Sequence, residues 1–448
     1  MALLSREFWH GRDILERPVV TLVALMVASG LAYLLAVVLV QRSFMPGKQW
    51  WIGMLVVGGT MRAIMFLSSP MLDDDHYRFL WDGGQVAQGK SPYGIAPGDA
   101  FAAPNTIGKG NRMSTAQIVA ERVNHPALRS IYPPVAQTGF AAAHFIAPWN
   151  IRGLKIVWLM ADLATFGLLV ILIGSADIPL RYLLIYWWNP LLVKETYNSA
   201  HMDILVLPCI AGALVLVARN RHTFASFAIA VAAGVKLWPV LVFPVVLRHR
   251  RLGLWPSILA ATVFVLTISV VTAPLLLDAR DTSSGLYAYA SEWEMNDSLY
   301  MLLHASGSWI FPAAPHTAAR IVLAIILAAM TIWVCRVPSD NVQQVCGRML
   351  YLVSALFLLG PTQFPWYWIW LLPLLTIVPV MALLMLTATL PLYYLRFAMD
   401  ALGYSDLFDY GVVWIEFGPT LAILIWSAVR QIHGYISPRV RWGLAHER

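Results

Sequence analysis

Long uninterrupted apolar runs constrain what this chain can fold into more than any other feature of its sequence. Residues 19–40, 254–277 and 411–429 each come close to the roughly 20 residues that an α-helix needs to cross a bilayer. These runs are too continuous for barrel strands, which alternate apolar and polar residues over about ten positions. Of the 448 residues, 59% are hydrophobic and only 12% are charged, about half the charged fraction of a soluble domain. The sequence therefore predicts an all-α polytopic membrane protein of about 11–14 transmembrane helices, a single membrane-embedded domain over residues 1–448.

The distribution of charge predicts how these helices are oriented. Lys and Arg collect in short loops, and the cluster at residues 248–251 is the strongest cytoplasmic signal, because basic loops stay on the inner side of the membrane. Residues 68–133 form a long loop in which six acidic residues balance six basic ones, which is compatible with translocation. We therefore predict that this loop and a second polar loop, residues 278–297, are periplasmic, and that the basic tail is cytoplasmic. The net charge of +7 is explained by these loops, and no basic tract with aromatic residues suggests a nucleic-acid partner.

Three consecutive aspartates stand near the start of the long loop. Asp73 is predicted to cap a short helix, with Asp74 and Asp75 in its first turn, where the helix dipole favours anions. The helix is expected to end at the glycine pair 83–84 and to lie on the membrane surface. Arg78 follows Asp75 by three residues and Asp74 by four, so an ion pair within the helix is the plain alternative. Acidic side chains just outside a span are also suited to work on a lipid headgroup.

Residues 181–203 carry several charges at membrane depth. The segment is interrupted at Asn189-Pro190 and holds Lys194, Glu195, His201 and Asp203. Broken polar helices are tolerated within a membrane where they line a cavity, and each charge there costs about 2.5–3.5 kcal/mol on insertion scales. We therefore predict a polar cavity. The alternative for His201 and Asp203 is a hydrogen-bonded pair at the membrane interface.

Lys236 separates two apolar runs, residues 224–235 and 238–247, that are each too short to cross a bilayer comfortably. With basic residues on the inner side of both, the runs are predicted to form a hairpin whose tip carries Lys236 to the periplasmic side. The alternative is that Lys236 merely snorkels at a helix end. Arg62, about one turn from the end of the second apolar segment, is expected to snorkel or to pair with an acid.

Several kinds of chemistry lack their signature in this chain. Neither a P-loop nor a G-x-G-x-x-G motif is present, so nucleotide binding is unsupported. The His201-x-Asp203 pattern offers only two metal ligands, and we predict no metal and no cofactor. Cys209, Cys335 and Cys346 lack C-x-x-C spacing and are predicted to be buried structural thiols. A transfer reaction would need a donor that is already activated, and a lipid phosphate carrying a sugar is such a donor.

A set of motifs in fixed order resembles a known family. DDDHYRFLWDG from residue 73 and GKSPYGIAP from residue 89 resemble the periplasmic loop of bacterial polyprenol-phosphate-mannose-type glycosyltransferases of the GT-C superfamily. YPPVAQ from residue 132, WNPLLVKE from residue 188, His201-x-Asp203, GVKLWPVLVFPV from residue 234 and PWYWIWLLP from residue 365 match in the same order. One departure is Ser91, where many members carry Asn. The match extends over most of the chain.

The resemblance implies an inverting transferase in the bacterial inner membrane that takes a hexose from a polyprenyl-phosphate donor on the periplasmic side. It does not fix the sugar, for which mannose is our expectation. The acceptor would be lipid- or glycan-linked. It implies that Asp75 or Asp74 is the general base. Asp75 is narrowly preferred, because it is separated from Tyr77 by a single residue as in the family motif. The leaving phosphate would be stabilised by Lys236, His201 and Arg78, and Asp203 would orient His201. Supporting or substrate-contacting roles are expected for Lys194, Glu195, Tyr132, Trp188 and Trp366.

The alternative function is a flippase or secondary transporter of a lipid-linked sugar, which would use the same charges as a relay. That alternative predicts paired internal repeats, which the sequence does not display. It also gives no reason for a long loop that opens on aspartates.

Overall fold

Helices form almost all of the regular structure in the computed structural model, which describes residues 1–42, 47–100, 113–250 and 252–436. Within these ranges no β-strand is formed, and isolated bridges join only His249 to Ser339 and Met295 to Thr362. The predicted all-α polytopic class is confirmed. Residues 101–112 of the long loop, and the basic residues Arg251, Arg439, Arg441 and Arg448 used for orientation, lie outside the described residues.

Seven helices of the described chain are long and apolar enough to cross a membrane. They are Val19–Arg42, Ile151–Ser175, Leu254–Asp278, Pro315–Val334, Val342–Leu359, Met381–Ala401 and Ser405–Arg430. A bent pair, Pro190–Asn198 with Met202–Ala218, makes up to eight. Shorter apolar helices account for much of the difference from the expected 11–14 crossings, which remains a prediction.

The α-helices are numbered in chain order as follows: α1 Val19–Arg42, α2 Lys48–Phe66, α3 His76–Ala87, α4 Thr115–Glu121, α5 Pro134–Ile146, α6 Ile151–Ser175, α7 Leu183–Trp187, α8 Pro190–Val193, α9 Val206–Ala218, α10 His222–Ala233, α11 Phe243–Leu247, α12 Leu254–Asp278, α13 Gly285–Glu292, α14 Ser298–Ile310, α15 Pro315–Val334, α16 Val342–Leu359, α17 Pro365–Trp368, α18 Leu372–Ile377, α19 Met381–Thr389, α20 Leu395–Ala401, α21 Ser405–Leu407 and α22 Val413–Ile436. Short 3₁₀ segments are Leu4–Glu7, Ile14–Glu16, Leu180–Tyr182, Met202–Leu205, Trp238–Val242, Ile369–Leu371 and Leu390–Tyr394, and π-helical turns are Lys194–Asn198 and Phe408–Val412.

The interrupted segment after residue 181 is broken in the way its sequence suggests. Asn189 caps α8 by accepting a hydrogen bond from the Leu192 amide at 2.9 Å, and Pro190 occupies the first helical position, where its missing N–H costs nothing. A π-helical turn, Lys194–Asn198, follows, and the chain then bends by 108° into Met202–Ala218. Along this irregular backbone, Lys194, Glu195, His201 and Asp203 are all buried.

Helix α3 differs from its prediction in three ways. It begins at His76 with Asp75 as its N-cap residue, it continues through both glycines to Ala87, and most of it is buried against α5 instead of lying on a membrane surface. A Cβ on Gly83 would lie 2.3 Å from the carbonyl oxygen of Phe140. A Cβ on Gly84 would lie 2.1 Å from the Trp149 ring. The glycines therefore serve close packing of α3 on its neighbours, and the expectation that they end the helix was wrong.

The hairpin around Lys236 has the expected form. Helix α10 has 12 residues, about 18 Å of length against a hydrocarbon core of about 30 Å. The return segment is Trp238–Leu247. Lys236 lies at the turn between them, where its amide bonds to the carbonyl of Ala232 at 3.1 Å. The two short pieces thus end inside the protein, and the lysine reaches a cavity.

Arg62 is paired and does not snorkel. Its guanidinium donates to Asp162 at 2.6 Å, and the hydroxyls of Tyr186 and Tyr197 donate to the same carboxylate at 2.7 and 2.6 Å. Removing one partner from such a buried pair typically costs about 3–5 kcal/mol, because an uncompensated charge is left behind. The cluster anchors α2 to α6 and to the broken segment.

Candidate active site

A cavity of about 1130 Å³ lies beside the start of α3. Seven of the residues that the sequence suggested for catalysis or substrate binding line it, and they come from five separated stretches of the chain. They are Asp74, Asp75, Arg78, Tyr132, Asp203, Lys236 and Trp366. Most of the remaining wall is aliphatic or aromatic. A single space thus exposes acidic and basic side chains next to apolar surface.

Asp74 and Asp75 present carboxylates to this cavity from the start of α3. The side-chain amide of Asn124 donates to Asp74, and the Asp75 side chain is 33% exposed. Burial, followed by the neighbouring Asp75 and Asp73 charges, raises the pKa of Asp74 to about 7. Burial also raises the pKa of Asp75, while the nearby His201 acts in the opposite direction. Both carboxylates therefore hold a proton more readily than an exposed aspartate does.

Asp73 has a different environment from its two neighbours, and its predicted capping role was wrong. Its carboxylate accepts hydrogen bonds from the Lys194 ammonium at 2.8 Å and from the Ser199 hydroxyl at 2.7 Å. Burial alone would raise the pKa of Asp73, but the charges of Lys194 and His201 and these hydrogen bonds hold it below its ordinary value. Asp73 is therefore directed into the protein, where it balances the charge of the buried Lys194.

Lys194 is completely buried and bridges two carboxylates. Its ammonium lies 2.8 Å from Asp73 and 3.3 Å from Glu195. The Tyr394 hydroxyl contacts Lys194 and donates to Glu195 at 2.8 Å. Asp73, Glu195 and His201 have ligand atoms close enough for a metal ion. The lysine ammonium already supplies the cation between the two carboxylates, so these residues are better suited to an ion-pair network than to a metal.

Glu195, not Asp203, orients His201. The Nδ1 atom of His201 lies 2.9 Å from Glu195, and the opposite nitrogen, Nε2, lies 3.8 Å from the Asp75 carboxylate. The Nε2 atom is shielded from solvent and has no hydrogen-bond partner in the part of the chain that the structure describes. The Trp366 ring stacks on the imidazole with centroids 3.9 Å apart. The expected Asp203–His201 contact was wrong because Glu195, six residues earlier, reaches His201 across the π-helical turn.

Asp203 pairs instead with Lys236. The Lys236 ammonium lies 2.6 Å from the Asp203 carboxylate, and the indole N–H of Trp370 donates to the same oxygen at 2.7 Å. The ammonium also lies 3.7 Å from the centre of the Tyr367 ring, a distance suited to a cation–π contact. Lys236 keeps 21% of its side chain exposed, so it is held in place and still accessible from the cavity.

Arg78 lines the cavity without pairing to either aspartate. Its guanidinium donates to the backbone carbonyls of Asn124 and His125 at 3.2 and 3.0 Å. The second terminal nitrogen is buried and has no hydrogen-bond partner among the described residues. The helix-internal ion pair considered for Arg78 with either aspartate is therefore not formed. Burial raises the pKa of the nearby Asp82 carboxyl, and the charge of Arg78 lowers it.

The predicted aromatic residues occupy different places. Tyr132 lines the cavity, where it contacts the Phe79 ring, and its carbonyl accepts a hydrogen bond from Tyr93 at 2.7 Å. Trp188 does not line this cavity. It lies at a second cavity of about 420 Å³ beside α1 and α2, and its indole donates to Met54 at 2.9 Å.

Sequence reasoning missed four residues of the site. Asn124, which holds Asp74, and Tyr394, which joins Lys194 to Glu195, stand in stretches without any distinguishing pattern. Tyr367 and Trp370 hold Lys236, and they belong to the aromatic stretch PWYWIW from residue 365, from which only Trp366 was selected. The density of aromatics there was the available signal for these last two.

The assembled site combines two partly exposed carboxylates, a partly exposed lysine, a buried arginine and an apolar wall inside a membrane-embedded bundle. In a comparison with family models, the one described as Glycosyltransferase family 87 matches residues 131–361, slightly more than half of the chain. This is a GT-C-type family, so the resemblance seen in the motifs is confirmed at that level. The comparisons with curated proteins and with solved structures gave no match.

Proposed function

This chain belongs to glycosyltransferase family 87, and on that premise we propose that it moves a hexose from a polyprenyl-phosphate-sugar donor to a lipid- or glycan-linked acceptor. Mannose is the first sugar to test. The reaction would invert the configuration at the anomeric carbon. The whole chain would form one domain in the bacterial inner membrane, with its active site on the periplasmic side. Family membership favours this transferase over the flippase or transporter alternative.

One observation carries the proposal: cations and carboxylates from distant segments face each other across one apolar-walled cavity. A polyprenyl chain needs an apolar path between helices, its phosphate needs positive charge, and an acceptor hydroxyl needs a base. Arg78 and Lys236 supply the charge, and Asp74 and Asp75 supply the carboxylates. A ligand with only one of these groups would not account for the apolar wall, the cations and the carboxylates together.

In the proposed step, the carboxylate of Asp75 takes the proton of the acceptor hydroxyl while the acceptor oxygen attacks the anomeric carbon from the side opposite the phosphate. The bond from the anomeric carbon to the phosphate oxygen breaks, and its electron pair stays on the polyprenyl phosphate. His201 lies 3.8 Å behind Asp75, held by Glu195, and stabilises the carboxylate's orientation.

The leaving phosphate gains negative charge, which Lys236 and Arg78 would stabilise where water is scarce. Lys236 shares its charge with Asp203, so it contributes an oriented donor more than a free cation. Arg78 has a guanidinium nitrogen without a protein partner among the described residues, and a phosphate oxygen would satisfy it. His201 was expected to contact the phosphate, but its Nε2 atom faces Asp75. We therefore propose that His201 supports Asp75, the base, and not the leaving phosphate.

The test is a search for product. Purified protein is incubated with polyprenyl-phosphate mannose and a panel of lipid and glycan acceptors, and mass spectrometry looks for an acceptor heavier by one hexose. A double variant, Asp74→Asn with Asp75→Asn, is the control for non-enzymatic transfer. We expect product with the native chain and none above background with the variant. Equal product from both would contradict the proposal.

A further inference from the structure

A second group of metal-ligating side chains lies outside the catalytic network, at the rim of the main cavity. Glu294, in the loop after α13, meets His304 of α14 and His316 of α15. One ligand atom from each residue lies within 4.8 Å of the other two. Three donors from three separate segments converge here, which a simple hydrogen-bonded pair does not require.

One of these donors has no partner. Nδ1 of His316 lies 2.7 Å from the Glu294 carboxylate, and the two imidazole rings are 4.4 Å apart. The Nε2 atom of His304, in contrast, is shielded from solvent and has no hydrogen-bond partner in the described part of the chain. A buried polar atom left unpaired is destabilising, and a ligand at this point would supply the missing partner.

We propose that Glu294, His304 and His316 bind a Zn²⁺ ion. Two imidazoles and one carboxylate are a donor set that zinc takes at about 2.0–2.2 Å, which needs ligand atoms about 3.3 Å apart. Small side-chain rotations reach that spacing from the present one. His316 keeps half of its side chain exposed, so a water molecule can complete a tetrahedron from the open side.

Arg320 is the neighbouring charge that the site has to tolerate. Its guanidinium approaches Glu294 only to 3.7 Å and is held by the backbone carbonyls of Ser291 and Trp293. Arg320 and His316 thus approach the same oxygen of Glu294, the arginine from the greater distance. The arginine can keep these carbonyl contacts while Glu294 turns toward the metal.

The proposed ion would cross-link part of the cavity wall. Glu294 itself lines the main cavity, and the next residue, Met295, is tied to the other wall through backbone hydrogen bonds with Pro361 at 2.9 Å and Gln363 at 3.1 Å. A metal joining this loop to α14 and α15 would fix the rim against two helices. The role is structural and separate from the sugar-transfer step.

The experiment measures zinc bound by the full chain, purified in detergent without a histidine tag. The protein is stripped with a chelator, incubated with ZnCl₂ and desalted, and zinc per chain is counted by mass spectrometry. We expect one zinc per native chain, and none above background for His304→Ala and His316→Ala. His10→Ala, which removes an exposed histidine far along the chain, should retain the ion. Zinc should also raise the unfolding temperature of the native chain and of His10→Ala only.

Glu294→Gln keeps a hydrogen-bond acceptor for His316 but removes the anionic ligand, so it separates the two interpretations of this cluster. Reduced zinc retention in a folded Glu294→Gln variant supports the metal site. Equal zinc content in the native chain and in His304→Ala and His316→Ala, or no retained zinc in the native chain, would overturn the proposal. A folded state for each variant is verified by its unfolding transition.

Discussion

At the scale of single residues, the three consecutive aspartates occupy three different environments. Asp73 is bound by Lys194 and Ser199, Asp74 is held by Asn124, and Asp75 faces both the cavity and His201. The sequence shows three identical side chains, and their separation follows from the short loop that precedes α3. Chemistry is assigned to the two aspartates that remain accessible.

Asp73→Asn is expected to destabilise the protein. Asparagine caps a helix as well as aspartate does, so a capping role would make the change silent. Here the change leaves the buried Lys194 with one carboxylate instead of two, and the free energy of unfolding should fall by about 3 kcal/mol. Thermal unfolding in detergent measures this, with Asp99→Asn as the exposed control. A midpoint equal to that of the control would contradict the ion-pair assignment.

The raised pKa values of Asp74 and Asp75 predict the pH dependence of transfer. A base must be ionised, and a carboxylate with a raised pKa loses its charge at a higher pH than usual. Because burial raises the pKa of Asp75, the rate should fall at a pH above about 3.9, the ordinary aspartate value. The measurement is kcat/KM against pH.

A variant makes the sign of this effect testable. His201 lowers the pKa of Asp75. In the His201→Gln variant, the fall of kcat/KM on the acid side of the pH profile should therefore occur at a still higher pH, while His10→Gln should leave it unchanged. A fall near pH 4 in the native chain, or a shift toward lower pH in His201→Gln, would contradict Asp75 as the base.

At the scale of elements, the fit of α3 against α5 decides where the aspartates point. Gly83→Ala would bring a methyl group to within 2.3 Å of the Phe140 carbonyl oxygen and should cost about 1–3 kcal/mol of stability. Gly59→Ala, in α2 with no heavy atom within 4 Å of the added carbon, should be neutral or stabilising. Unfolding midpoints of the two variants give the comparison. Equal midpoints would mean that α3 does not pack closely on α5.

Sequence reasoning found the elements of the site more readily than their contacts. Lys194, Glu195, His201 and Lys236 stand out because charges interrupt apolar runs. Their distant partners do not stand out. Asp73, one of the two acids that pair with Lys194, is 121 residues away in the sequence, and nothing local marks the pair. The same limit explains Asp203, whose nearest charged neighbour in sequence is not its partner in space.

At the scale of the whole molecule, the fold class and the order of the short and broken helices could be predicted from hydropathy alone. The burial of α3 could not be predicted, because an amphipathic helix next to a transmembrane span has the same sequence pattern whether its apolar face lies on lipid or on protein. The packing of its two glycines was decided by Phe140 and Trp149, which stand far along the chain. The side of the membrane to which the cavity opens is predicted only from the distribution of Lys and Arg among the loops.

Cysteine labelling tests the proposed orientation. In a background of Cys209→Ala, Cys335→Ala and Cys346→Ala, an impermeant thiol reagent is applied from the outside to whole spheroplasts. We expect it to label Ser91→Cys, in the long loop, and to spare Asn220→Cys, in the turn between α9 and α10 at the opposite end of the hairpin, until the membrane is broken. Labelling of both from the outside would reject the proposed topology.

The central claim is that Asp75 acts as the base in hexose transfer, and separating turnover from donor binding tests it most directly. Asp75→Asn keeps the shape of the side chain and removes its proton acceptance, so turnover should drop about 100-fold or more. Binding of polyprenyl-phosphate mannose should persist, because Lys236 and Arg78 remain. Asp74→Asn is the matched neighbour and should lose less. Near-normal turnover in a folded Asp75→Asn variant that still binds donor, or a larger loss in Asp74→Asn than in Asp75→Asn, would contradict the account.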